Sequence, residues 1–142
     1  MPVTTSATNQ AAFEVPKDRF AWYAETPLNK YEPAIVNANG YLEAATSSNL
    51  TDETQFVGIC QYPAENAGDM ATVVKGVFPA VASAAITAGS LVEVTASTTT
   101  VNGVAYHTVA AATDNDLADP TVIGTALTAA AAAGDLVTVL IK

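Results

Sequence analysis

Two segments of the chain share one spacing of glycines, and this repetition is the strongest constraint on the fold. Gly58 and Gly68 are ten residues apart, and an aspartate directly follows the second glycine. Gly124 and Gly134 have the same spacing, again with an aspartate after the second glycine. In each segment an apolar stretch contains the first glycine and a β-branched stretch follows the aspartate. This pattern is typical of a strand, a tight turn and a second strand.

The two halves of the chain also share a longer order of features. Each contains a turn of small residues, a strand, a polar or Asn-Gly connection, a strand containing glycine, an Ala-Gly-Asp turn and a final strand. This order indicates an internal duplication. Chance similarity among segments rich in alanine, glycine and valine would produce the same matches, so the sequence leaves both explanations open.

Residue composition favours strands over helices. Valine and threonine are abundant, and their branched Cβ atoms pack well on a pleated strand. Short strands with frequent turn signals predict a mainly β fold, a compact small barrel or sandwich. The predicted strands are residues 33–36, 41–43, 55–62, 69–78, 91–95, 104–109, 121–128 and 136–141. The predicted structural turn residues are Gly58, Gly68, Asp69, Gly89, Gly124, Gly134 and Asp135.

The chain divides into a predicted extended N-terminal arm, residues 1–27, and a β-rich domain, residues 28–142. Residues 1–12 are small and polar without periodicity, and the next part of the arm is rich in aromatic residues. Pro16 and Pro27 argue against a continuous helix there. The aromatic segment either folds back to complete the core or lies across a neighbouring subunit, where Trp and Tyr are favoured anchors.

Charge and surface composition limit the possible partners. The net charge is −9, and the five basic residues are scattered along the chain. Nucleic acids and anionic membranes are both recognised through clustered basic residues, so neither is expected as a partner. Only 13% of the residues are charged, and a surface with so few charges associates readily. The first residues lack the charged and apolar regions of a signal peptide, which predicts synthesis in the cytoplasm.

No catalytic or metal-binding constellation is recognisable. His107 is the only histidine, and no nucleophile motif accompanies it. Cys60 is the only cysteine and lies in an apolar run, where a buried structural thiol is expected. Asp114, Asp116 and Asp119 form an acidic loop whose spacing does not match a calcium-binding loop. We therefore expect no cofactor, no metal and no enzymatic activity.

The C-terminal part of the chain carries a family resemblance. Residues 122–127, Val-Ile-Gly-Thr-Ala-Leu, are followed by a small-residue stretch, Ala-Gly-Asp-Leu-Val and an alternating Thr-Val-Leu-Ile-Lys ending. Residues 85–92 read Ala-Ile-Thr-Ala-Gly-Ser-Leu-Val. Both segments resemble motifs of the head decoration (capsid cement) proteins of tailed bacteriophages, over about residues 73–142. In the internal motif of those proteins an acidic residue is more usual at the position of Ser90.

The resemblance implies a structural virion protein without enzymatic activity. Such a protein would bind the outer surface of an icosahedral capsid, bridge neighbouring major capsid protein subunits, and form a homotrimer. It would be made in the host cytoplasm and reside in the virion. One alternative is another phage β module, from a tail tube, a baseplate or a fibre tip. A second alternative is an enzyme or a carbohydrate-binding module, which surface aromatics near paired carboxylates would support.

The aromatic arm is the predicted contact with the capsid. The arm ends in a group of aromatic residues, and Trp and Tyr are favoured anchors at protein interfaces. The predicted contact residues are Phe13, Val15, Lys17, Arg19, Phe20, Trp22 and Tyr23. For contacts between copies of the chain, we expect the turns around Gly89 and Gly134 and the strands beside them.

Overall fold

The computed structural model describes residues 14–142, which form nine antiparallel strands and one short 3₁₀ turn, Glu53–Gln55. The prediction of a mainly β fold is confirmed. The strands are β1 (Val15–Tyr23), β2 (Pro33–Val36), β3 (Leu42–Ala44), β4 (Phe56–Tyr62), β5 (Met70–Val81), β6 (Leu91–Val101), β7 (Val104–Ala111), β8 (Val122–Ala126) and β9 (Leu136–Ile141).

All nine strands belong to one strongly curled sheet. Its main path runs β3-β2-β4-β5-β9-β8-β6-β7, and β1 pairs with β5 beside that path. Two parallel bridges close the sheet on itself, one between Ala24 and Leu42 and the other between Ala82 and Val109. The sheet therefore makes two small, nearly closed circuits that have β5 in common.

The two circuits are copies of one unit, which confirms the predicted duplication. The first unit comprises residues 15–74 and the second comprises residues 77–141. Phe20 pairs with Val73 in the first unit as Phe78 pairs with Val139 in the second, and the ladder around each pair has the same register. Hydrogen bonds outside the strands also correspond: Gly68 N–H donates to Ala24 C=O at 2.7 Å, and Gly134 N–H donates to Ala82 C=O at 2.8 Å.

Strand β5 belongs to both units. Residues 70–74 lie between β1 and β4, and residues 77–81 pair with β9. Gly76 stands at the junction with a φ of +101°, a conformation that L side chains rarely adopt. A Cβ atom there would come within 2.7 Å of Lys17 N and Val15 O on β1. A glycine at this position allows β5 to pass from pairing with β4 to pairing with β9 while β1 remains in close contact.

The structure corrects the prediction for Gly58 and Gly124, which lie inside β4 and β8 rather than in turns. A Cβ atom on Gly58 would collide with the carbonyl oxygen of Val74, and one on Gly124 with that of Leu140. Each glycine therefore allows its strand to approach the neighbouring strand closely. The repeated spacing marks a close backbone contact in both units.

The remaining turn residues lie where the chain reverses. Gly68, Gly89 and Gly134 have φ between +87° and +90°. The carboxylate of Asp69 accepts a hydrogen bond from Asn66 N–H at 3.2 Å. Its counterpart, Asp135, accepts bonds from the backbone N–H groups of residues 131 and 132, each at 3.1 Å. These carboxylates stabilise the two reversals.

Two clusters of buried side chains form the core. The smaller cluster fills the first unit and includes Leu28, Leu42, Cys60 and Val73. The larger cluster fills the second unit and continues into the first. Its members from the first unit include Ile35, Leu50, Phe56, Ile59 and Val74. The larger cluster therefore joins the two units into one packed body.

The segment predicted as an extended arm contains β1. This strand folds back along β5 of the same chain, but eight of its nine residues are exposed. The bond ladder shifts between Pro16 and Arg19, so the strand is irregular in its first part. The domain boundary at residue 27 stays a prediction. Phe13 and the rest of residues 1–13 lie outside the described residues.

Candidate interaction surface

β1 presents large apolar side chains to solvent. Phe20 and Trp22 lie on one face, opposite Val73 and Ala71 of the smaller core. Their exposed fractions are 42% and 46%. Tyr23 is 47% exposed and lies opposite Met70 of β5. We call Phe20 and Trp22 together the β1 aromatic face.

The Trp22 ring is held in place although it is half exposed. Its Nε1–H donates a hydrogen bond to the carbonyl oxygen of Gly40, at 2.7 Å, in the β2–β3 connection. Its ring also meets that of Tyr23 edge to face, with 5.7 Å between the centroids. A partner that binds this ring loses little side-chain entropy, because the ring is already fixed.

Six of the seven predicted contact residues lie together on β1, and the seventh is Phe13. Val15, at 62%, is the most exposed large apolar residue in the described part of the chain. Lys17 and Arg19 are exposed beside it, with the opposite charge of Asp18 between them. The strand thus combines apolar side chains with mixed charge, a composition that suits the centre and the rim of a protein interface.

Glu32 is a buried carboxylate that connects the two units, and sequence reasoning missed it. Its Oε1 accepts a bond from Asn29 N–H at 2.6 Å. Its Oε2 accepts one from His107 N–H at 2.7 Å and lies 2.5 Å from His107 Nδ1. Glu32 comes from the first unit and His107 from β7 of the second. The signal in the sequence was a charged residue directly before an apolar strand, where the second unit has Ser90.

The environment of His107 favours its protonated form. The hydrogen bond to Glu32 raises the pKa of the imidazole above its ordinary value, although partial burial acts in the opposite direction. The charge of Glu43 adds to the increase. Both Glu32 oxygens are engaged within the protein, so this pair joins the two units.

Other reactive groups are engaged in local structure. Burial raises the pKa of the Cys60 thiol to about 12, so the nucleophilic thiolate is strongly disfavoured. Asp119 accepts bonds from the backbone and hydroxyl of Thr121, and these bonds lower the pKa of its carboxyl group. Within residues 14–142, no cluster of three His, Cys, Asp or Glu side chains could hold a metal ion.

An apolar cavity of about 150 Å³ lies where the two units meet the turn at Gly134. It is smaller than the roughly 300 Å³ at which ligand pockets begin, and its volume does not indicate a small-molecule site. Its lining residues are Tyr31, Val81, Val101, Tyr106, Gly134 and Leu136. Among the described residues, no helix has the length and apolar character required to cross a membrane.

Comparison with protein families gives a decisive match. The sequence model of the phage cement protein family matches residues 29–142, which is most of the chain. The chain belongs to the phage cement protein family. The predicted resemblance is thereby confirmed, and the family is one of structural proteins of the virion. No curated protein matches the chain.

A solved structure from another phage has a similar fold. It is the crystal structure of the N base of head fiber gp8.5 from bacteriophage phi29. The TM-score is 0.60 and the identity 18%, and the match covers 88% of this chain and 93% of the other. At this identity the likeness shows the shared fold of this phage cement protein and the fiber base, which includes both units.

Proposed function

We propose that this cement protein binds the outer surface of an icosahedral phage capsid and stabilises it by bridging neighbouring subunits of the major capsid protein. The observation that carries the proposal is the family match over residues 29–142. The tail-tube, baseplate and fibre-tip alternative gains no comparable support, because the similar solved structure also belongs to a phage head.

The proposed contact is β1, which the surface geometry supports. A fixed tryptophan beside an exposed phenylalanine provides the kind of anchor that dominates binding energy at protein interfaces. Val15, Lys17, Arg19 and Tyr23 would surround this anchor. Phe13 would extend the contact toward the N-terminus.

Stabilisation would come from interface area rather than from chemistry. A copy that contacts two capsid subunits resists their separation, and several linked contacts bind a lattice far more tightly than one. A homotrimer, with contacts near the turns at Gly89 and Gly134, would supply this multivalency. The net charge of −9 suits an outer position better than contact with packaged DNA.

Co-sedimentation with capsids tests the proposal. Emptied, expanded heads of the phage that encodes the chain, assembled without this protein, are mixed with it and pelleted. We expect saturable co-sedimentation and heads that resist heating better when they carry the protein. Unexpanded heads and an unrelated acidic protein serve as controls. If the protein stays in the supernatant with expanded heads, the proposed function is wrong.

Analytical ultracentrifugation tests the homotrimer separately. We expect a trimer at micromolar concentration, and substitution of Gly89 or Gly134 by arginine should shift the protein toward the monomer. A wild-type monomer over the whole concentration range would contradict a preformed trimer. Binding to the shell would then have to supply the trimeric arrangement.

A further inference from the structure

The duplication gives the β1 aromatic face an internal counterpart. Phe20 and Phe78 occupy equivalent positions, since each pairs with an equivalent valine of the next strand, Val73 or Val139. By the same register, Trp22 corresponds to Ala80. The equivalent face of the second unit, at Phe78 and Ala80, can therefore be compared with it in exposure and in contacts.

The two faces differ completely in exposure. Phe78 and Ala80 are both 0% exposed, whereas Phe20 and Trp22 are 42% and 46% exposed. The first unit supplies the cover. The Tyr31 ring lies 5.9 Å from that of Phe78, and Phe56 belongs to the same buried cluster.

Tyr31 adopts an unfavourable backbone conformation where it makes this contact. Its φ is +75°, in the left-handed region that favours glycine. The equivalent residue of the second unit is Gly89, with a φ of +89°. The first unit thus keeps a tyrosine where glycine fits more easily, and the ring of that tyrosine covers the second unit.

A second copy of the chain cannot cover the first unit in the same way. The residues equivalent to Tyr31 and Ile35 in the second unit are Gly89 and Glu93, one without a side chain and the other with a carboxylate. The original Ile35 belongs to the larger core, and Tyr31 packs against that core. The face therefore calls for a different protein.

We infer that the β1 aromatic face docks an apolar, aromatic-bearing surface of a major capsid subunit, which takes the place that Tyr31 holds over Phe78. The inference rests on the proposed capsid binding and specifies its chemistry. The capsid surface would cover the aromatic residues of the first unit, just as Tyr31 of the first unit covers Phe78 of the second. Binding then depends on apolar contact at Phe20 and Trp22 rather than on the charges of Lys17 and Arg19.

Trp22 is the only tryptophan in the chain, so it reports directly on this face. The protein is produced with 5-hydroxytryptophan, which is excited at wavelengths that ordinary tryptophans of the capsid do not absorb. Upon addition of excess expanded heads, we expect emission at shorter wavelength and weaker quenching by acrylamide. Both changes show that the ring has left water.

Matched variants separate apolar docking from other contacts. Phe20→Ala and Trp22→Ala should each weaken co-sedimentation by about tenfold or more, as for central interface anchors. Leu117→Ala removes an apolar side chain that is also about half exposed, at 51%, but lies in the connection between β7 and β8. This control should bind within about twofold of the wild type, since peripheral or remote truncations change affinity little. Circular dichroism confirms folding of each variant.

The outcomes distinguish this inference from the proposed function. Wild-type binding without any change at residue 22, and with Phe20→Ala unaffected, overturns the inference but leaves capsid binding intact. No binding of the wild type overturns both. An emission shift that requires only high protein concentration assigns the face to a second copy. A shift to longer wavelength in free protein upon deletion of residues 1–13 assigns the face to that segment. Either result overturns the inference.

Discussion

Glu32 and His107 show how single residues connect the two units. The Glu32 side chain is 1% exposed, and its oxygens accept bonds from both units. A buried carboxylate is costly unless hydrogen bonds compensate for lost hydration. Asn29 adds a parallel link, since its Nδ2 donates to Ala105 C=O at 3.2 Å.

We expect the His107–Glu32 pair to make stability dependent on pH. The pKa of His107 is raised in the folded protein, so protonation favours folding. Its stabilising effect is complete below about pH 6.5, the ordinary pKa of histidine, and is lost as pH rises through the higher folded value. In thermal melts from pH 5 to 9, the advantage of the wild type over His107→Gln should be largest at low pH. Parallel curves for the two proteins would contradict this assignment.

Alanine scanning of glycines should separate close strand contact from turn conformation. Gly124 has no positive φ, so Gly124→Ala is penalised by the collision with the Leu140 carbonyl, at about 3 kcal/mol. Gly40→Ala meets no neighbouring atom and loses only about 1 kcal/mol, because its φ is +81°. Urea denaturation measures both values. Equal losses would show that the strands move apart easily.

The structural role of a residue was predictable from the sequence where its hydrogen bonds are local. The turn aspartates illustrate this, because their bonds reach only three or four residues along the chain. Glu32 could not be predicted as a link to His107, since 75 residues separate them and only the fold brings them together. For Gly58, the sequence showed the repeat but not the neighbouring carbonyl that explains it.

At the scale of elements, the shared strand β5 determines how the units connect. It has twelve residues and serves as the last strand of one unit and the first of the next. The sequence predicted a strand at residues 69–78, but the double role depends on partners distant in sequence. Residues 97–100 continue β6, although their polarity was equally consistent with a loop. The prolines and aromatics of β1 indicated an arm rather than a paired strand.

We expect Gly76 to control how firmly β1 is attached to β5. In Gly76→Ala, the new Cβ atom would meet the backbone of residues 15 and 17 at 2.7 Å and push β1 outward. Limited trypsin digestion at the Arg19–Phe20 bond should therefore be several-fold faster, because cleavage requires local opening of the strand.

The control for this digestion is Gly103→Ala, which adds the same methyl group in open space at the turn between β6 and β7. Its cleavage rate at Arg19 should match that of the wild type. An unchanged rate in Gly76→Ala would mean that the irregular part of β1, between Pro16 and Arg19, accommodates the methyl group without loosening the strand.

At the scale of the whole molecule, two equivalent units have unequal surroundings. The repeat was visible in the sequence because glycine spacing is a local property, and the family motifs were visible for the same reason. The difference in exposure between the two units was not visible in the sequence, since it depends on which unit packs against the other. The candidate surface was predicted as an aromatic segment, but its relation to the buried Phe78 required the ladder register.

The clearest measure of this inequality is a pair of substitutions at equivalent positions. Phe78→Ala leaves a cavity in the larger core and should reduce the free energy of unfolding by about 3–5 kcal/mol. Phe20→Ala removes a ring that is already 42% exposed and should cost about 1 kcal/mol or less. Urea denaturation, followed by far-UV circular dichroism and Trp22 fluorescence, measures both. The two signals should change together, because β5 and the larger core span both units. Similar losses of unfolding free energy at the two positions would mean that Phe20 is already covered in the free protein. The β1 aromatic face would then not be available to a capsid subunit.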